Sequence, residues 1–153
     1  MAEITGETAA AFREQGYVVI TEALDEAQLA QGRALTEALL AADPPPPGHA
    51  GPHFLWPRFG AGDHELLRFY RDSGIGQLAS GLLRPGLDLQ EPDFAQVATT
   101  IPPWPHRPGG PHVDGLTPLA PDGQPGTFSL LAGVWLTDHQ EQIQGNLWIW
   151  PGT

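Results

Sequence analysis

At 153 residues the chain is long enough for one domain with a hydrophobic core, and its apolar share of 41% is ordinary for such a domain. It has no cysteine, which excludes disulfides, thiolate metal sites and cysteine nucleophiles, so any metal must be held by imidazole and carboxylate. Seven basic residues, all Arg, stand against eighteen Asp plus Glu for a net charge of −11, a surface that repels nucleic-acid phosphates; the absence of Lys excludes Schiff-base chemistry and a P-loop.

The opening residues, Met1 to Phe12, have neither a basic start nor an apolar core, so they are not a secretory signal. No stretch approaches the roughly 20 apolar residues of a membrane span. The expected setting is therefore cytoplasmic, without membrane or nucleic-acid partners. Thr5 or Thr8 caps a first helix through Gln15, and Gly16 is a natural stop. Tyr17-Val18-Val19-Ile20 is a β-branched run that reads as a strand. Asp25 with Gln28 forms a capping-box pattern that opens a second helix, with Leu24, Leu29, Leu35, Leu39 and Leu40 near helical spacing. Asp43-Pro44-Pro45-Pro46-Pro47-Gly48 ends it. Asp63 caps a third helix carrying Leu66, Leu67, Phe69 and Tyr70, and Ser73 caps a fourth that runs to Leu83. Beyond Leu87 three strands are expected, Phe94 to Ile101, Phe128 to Leu136 and Asn146 to Trp150, joined by Gly- and Pro-rich loops. Helices first and strands after predict an α+β or helix-decorated β architecture.

The chemistry centres on His112-Val113-Asp114. On a strand, residues i and i+2 share a face, so an imidazole and a carboxylate can grip one ion side by side. That pair suits Fe(II), and a second His would complete the facial triad of non-haem iron oxygenases. With six His in the chain and nine Asp, about 0.35 chance His-x-Asp matches are expected, so the motif needs its setting. His112 follows the turn-forming Pro108-Gly109-Gly110-Pro111, and Asp114 precedes Gly115, which permits close approach of a ligand. The rival His139-Gln140-Glu141 sits in a polar run and reads as a solvated turn.

The wider pattern resembles the phytanoyl-CoA dioxygenase family over essentially the whole chain. Phe12-Arg13-Glu14-Gln15-Gly16-Tyr17-Val18-Val19-Ile20 is similar to its opening helix-Gly-strand segment, and the helix from Asp25 to the one that follows. Gln96-Val97-Ala98-Thr99-Thr100-Ile101-Pro102-Pro103 is similar to the strand before the metal motif, which His112-Val113-Asp114-Gly115 matches. Leu136-Thr137-Asp138 and Gln144-Gly145-Asn146-Leu147-Trp148-Ile149-Trp150-Pro151-Gly152-Thr153 resemble the strand, turn and strand that come next. The order Gly145-Asn146 departs from the family's Asn-Gly, a variation that a turn tolerates.

The resemblance implies a double-stranded β-helix, or jelly roll, preceded by N-terminal helices. The helical front occupies about residues 1–86 and the start of the barrel about 87–153, with only its front half present. It implies Fe(II), 2-oxoglutarate as co-substrate and O2, with hydroxylation of a small organic molecule and oxidative decarboxylation of 2-oxoglutarate to succinate. His112 and Asp114 would be metal ligands, and the presence of Asp114 favours hydroxylation over halogenation. Gln96 and Thr100, on one face of their strand, would contact the co-substrate, and Trp135 would wall its pocket. Trp56 and Arg58, in an earlier loop, and Leu116 to Gly126 are candidate substrate contacts. His106 reads as a surface-loop residue. The family's second metal-binding His and its co-substrate Arg have no matching position, so a truncated chain that binds iron weakly and turns nothing over is expected. A non-catalytic jelly-roll binding domain is the alternative, and a cupin-like isomerase or sugar-binding jelly roll fits the strands without fitting the N-terminal segment.

Overall fold

The computed structural model describes residues 2–60, 64–102, 110, 112, 130–138 and 147–152. Its first helix, α1 (Gly6–Gln15), starts where Thr5 takes an extended backbone and its hydroxyl accepts from Thr8 N at 3.1 Å. Gly16 ends it at φ 81°, a left-handed conformation that glycine reaches without strain. The second helix, α2 (Glu26–Ala42), opens with the expected reciprocal box: Gln28 N donates to Asp25 Oδ1 at 2.8 Å, and Asp25 N donates to Gln28 Oε1 at 2.9 Å. The other end of the Gln28 amide donates to Ser73 O at 3.4 Å. One side chain thus closes the cap and ties α2 to the next helical pair.

That pair is α3 (Glu65–Asp72) and α4 (Ile75–Leu82). Two expected caps differ here. Asp63 lies outside the described residues, and α3 is capped by His64, whose Nδ1 accepts from Leu66 N at 3.1 Å. Ser73 closes α3 rather than opening α4; Gly74, at φ 82°, is the residue that turns the chain between them. The physical reason is the left-handed backbone of the reversal, which costs a serine strain and a glycine none. Ser73 is instead buried in the junction, its hydroxyl donating to Tyr70 O at 3.4 Å.

The helical core is built from Leu67 and Phe69 of α3, Leu78, Ala79 and Leu82 of α4, and Ala9 of α1. Close approaches use glycines as notches. A β-carbon at Gly81 would stand 2.9 Å from Ile4 Cβ, and one at Gly32 would meet Leu136 Cδ2 at 2.6 Å and Phe69 Cζ at 3.2 Å. Through Gly32, α2 therefore seats Leu136 as well as α3, and the Arg33 guanidinium reinforces this by donating to Leu136 O at 2.9 Å. Gly152 N similarly donates to Gln15 O at 2.9 Å, returning residues 151–152 to the end of α1.

A single two-stranded ladder appears among the described residues: β1 (Gly51–Leu55) antiparallel to β2 (Val97–Ile101), Gly51 opposite Ile101 and Leu55 opposite Val97. β1 falls inside the span that the sequence assigns to helices and loops. Pro52 inside it and Pro57 just beyond it hide it, because a proline within an apolar run argues against a paired strand. The register explains why Pro52 is tolerated. Ala95 N donates to Pro57 O at 3.0 Å and Phe59 N to Asp93 O at 2.8 Å, so odd-numbered β1 positions form the hydrogen-bonded pairs. Pro52, opposite Thr100, sits in a non-hydrogen-bonded pair, where its missing N–H leaves no ladder bond unmade.

The other strand expectations fare differently. Residues 94–101 pair as expected, with regular strand from Val97 and a bridge at Phe94 to Arg58. Tyr17 to Ile20, the described part of Phe128 to Leu136 and Leu147 to Trp150 form no ladder among the described residues. β-branched composition favours an extended backbone, but a strand also needs a partner, and among the described residues none pairs with 17–20. No helix among the described residues is long and apolar enough to cross a membrane.

Candidate functional site

The β1–β2 ladder separates its residues into two faces. On β2, Val97, Thr99 and Ile101 are half-buried and alternate with exposed Ala98 and Thr100, and Gln96 extends the exposed set by one step. Gln96 and Thr100 therefore share a face, as the sequence predicts. Continuing the register between the Leu55–Val97 pair and the Arg58–Phe94 bridge sets Trp56 opposite Gln96. Each pair on this face is of the non-hydrogen-bonded kind, in which facing side chains approach most closely.

The partners from β1 and its continuation are apolar and uncovered. Phe54 is 49% exposed and Trp56 57%. The Trp56 and Phe94 ring centroids lie 6.2 Å apart with planes tilted by 42°, and Arg58 Cζ stands 5.8 Å from the Phe94 centroid, within cation–π range. Trp56 and Arg58, expected in a loop, are thus aligned two residues apart on one strand edge, beside Gln96. Phe54 and Phe94 were missed by sequence reasoning. The alternation of Phe54 and Trp56 was the available signal, obscured by Pro52 and Pro57.

The opposite face is closed. Leu55 and Phe59 are buried, Phe59 packs against the His64 ring at 5.1 Å, and Thr99 Oγ1 donates to His53 O at 3.0 Å. His53 Nε2 is buried without a hydrogen-bond partner, and its ring meets that of His49 edge-on at 5.6 Å.

His112 is exposed, and its Nδ1 lies 3.0 Å from Gly110 O. A carbonyl oxygen only accepts, so Nδ1 carries the hydrogen of this bond. In the neutral ring the lone pair then resides on Nε2, the arrangement that metal-binding histidines adopt when a backbone carbonyl orients them. Asp114 lies outside the described residues, as do His106, His139 and the loop 116–126. Trp135 is 45% exposed on a segment anchored to α2 through Leu136, not on the ladder that carries Gln96 and Thr100. Among the described residues no three His, Asp or Glu side chains converge as a metal-binding group.

Electrostatics are perturbed at a different place, a cleft lined by Tyr70, Arg71, Gln77, Asp88 and Glu91. Arg71 holds Glu91 in a fork, Nε to Oε1 at 2.6 Å and Nη2 to Oε2 at 2.8 Å. That hydrogen bonding keeps the carboxyl below its ordinary range. Burial, and secondarily the negative charge of Glu91, push the Tyr70 phenol up. None of the site residues expected from the sequence lines this cleft, and the paired Arg71 and Glu91 neutralise each other.

Comparison with protein-family models, curated proteins and solved structures returned no match.

Proposed function

We propose that this chain supplies His112 and Asp114 to the Fe(II) site of a 2-oxoglutarate-dependent oxygenase of the phytanoyl-CoA dioxygenase type, which hydroxylates a small organic molecule in the cytoplasm. The observation that carries the reading is the ordered pattern in which His112-Val113-Asp114-Gly115 falls between the Gln96–Ile101 strand and the Gly145–Pro151 segment. The Gly110 carbonyl, 3.0 Å from His112 Nδ1, supports it, since a backbone carbonyl at one ring nitrogen is a common way of orienting a metal-binding histidine. Fe(II), when bound with 2-oxoglutarate and O2, supplies the oxidation, converting the co-substrate to succinate and CO2 while one oxygen atom enters a substrate C–H bond.

The protein's part is to bind and aim. Asp114 adds a hard, negatively charged oxygen to the nitrogen of His112, the mixed donor set that Fe(II) prefers. The Gln96 amide and Thr100 hydroxyl, on one face of the ladder, suit hydrogen bonding to the carboxylates of the co-substrate. Trp135 would limit access of water to that pocket.

Anaerobic Fe(II) titration of the full chain, followed calorimetrically, tests the assignment. Weak binding is expected, lowered at least about tenfold by either His112→Ala or Asp114→Ala, since each removes one of two ligands. Binding that survives both substitutions would refute it.

A further inference from the structure

The exposed face formed by Trp56, Arg58, Phe94 and Gln96 has a composition unlike the rest of the chain. Of its eight positions, 52, 54, 56 and 58 on one side and 94, 96, 98 and 100 on the other, only Arg58 is ionic. A chain with eighteen acidic and seven basic residues has here a face with one positive charge and no negative one. Arg58 rests on the Phe94 ring, and a ring face engages none of the five guanidinium N–H donors. No carboxylate among the described residues pairs with it. Beside it, Trp56 offers an aromatic surface more than half exposed, and Gln96, opposite Trp56, adds an amide able to donate and accept.

From this arrangement we infer that the face binds a planar aromatic carboxylate, its ring lying against Trp56 and its carboxylate on Arg58. Charge complementarity selects the anion, because the surrounding surface repels anions generally and leaves Arg58 as the local attraction. The fork of the guanidinium suits the two oxygens of a carboxylate, and Phe94 restricts its orientation before the ligand arrives. The aromatic half of the ligand follows from Trp56, since ring pairs favour tilted or offset contact over the 4.5–7 Å range in which Trp56 already meets Phe94. The site needs no iron and does not rest on the oxygenase reading.

The test uses the full chain with a metal chelator present and three probes: 2-naphthoate, its neutral amide, and cyclohexanecarboxylate, with binding read by ligand-observed NMR. The expected order places 2-naphthoate first, with the amide about tenfold weaker for want of the charged hydrogen bonds. Arg58→Gln should bring 2-naphthoate down to the amide's affinity, and Trp56→Ala should weaken both aromatic probes about fivefold. Both side chains are exposed, so circular dichroism should show the fold retained. Equal binding of 2-naphthoate and its amide, retention of affinity in Arg58→Gln, or no 2-naphthoate binding at millimolar concentration would overturn the inference. None of these outcomes touches the Fe(II) titration, so the two readings fail separately.

Discussion

Replacing Gly32 by alanine sets helix propensity against packing at one position. Gly32 lies inside α2, where alanine is favoured over glycine by about 1 kcal/mol. Its new β-carbon would stand 2.6 Å from Leu136 Cδ2 and 3.2 Å from Phe69 Cζ. The Phe69 ring tip can give by a few tenths of an ångström, but Leu136 has to withdraw from the notch. Leu136 is half-buried, so withdrawal forfeits about 1 kcal/mol of the roughly 1.5–3 kcal/mol that full burial is worth. The two effects offset, and Gly32→Ala alone should change stability little or lower it by up to about 1 kcal/mol. In a Leu136→Ala background the obstructing methyl is absent, and the same substitution should stabilise by most of that propensity gain. The cycle thus has a coupling energy of about 1 kcal/mol, measurable by urea unfolding followed by circular dichroism with the slope held constant. A gain of equal size in both backgrounds would show that Leu136 does not occupy the notch, and the seating of Leu136 on α2 would be refuted.

Gln28→Ala should destabilise by about 1–2 kcal/mol, because it removes both the return half of the capping box and the tie to Ser73 O; thermal unfolding checks this, and a neutral result would mean water replaces both. Glu22 is the one described non-glycine residue at positive φ, 55°, and Glu22→Gly should raise the melting temperature slightly, a stabilisation of about 0.5–1 kcal/mol. The Glu91 carboxyl is held below its ordinary value by Arg71, so its contribution is present above the unfolded carboxylate pKa and lost as pH falls through the lower folded one; Glu91→Gln should flatten the acid limb of melting temperature against pH. The same variant should lower the Tyr70 titration, read by ultraviolet absorbance, without returning it fully to the ordinary phenol value, because burial is the larger cause of its rise.

What the residues alone determined is largely local. Thr5, the Asp25–Gln28 box and Gly16 each act within four positions of the helix end they define, so cap and stop were legible without knowledge of the fold. The Gln96–Thr100 face was legible for the same reason, since alternation is a property of any extended run. His112 and its neighbours were legible as a chemical pattern, and the Gly110 hydrogen bond that orients the ring is itself a contact between residues two apart.

Tertiary structure decided everything that depends on a distant partner. Which of the extended runs becomes a strand was settled by pairing across more than forty residues: 97–101 found β1, whereas Tyr17 to Ile20 has no ladder partner among the described residues. Pro52 of β1 reads as a breaker until the register places it where no N–H is required. Leu136's seat on Gly32 spans more than a hundred residues, and no periodicity announces it. The alignment of Trp56 and Arg58 with Gln96 and Phe94 is of the same kind. Each is an ordinary residue in its own segment, and only the antiparallel register, by bringing the intervening chain back on itself, makes one surface of them.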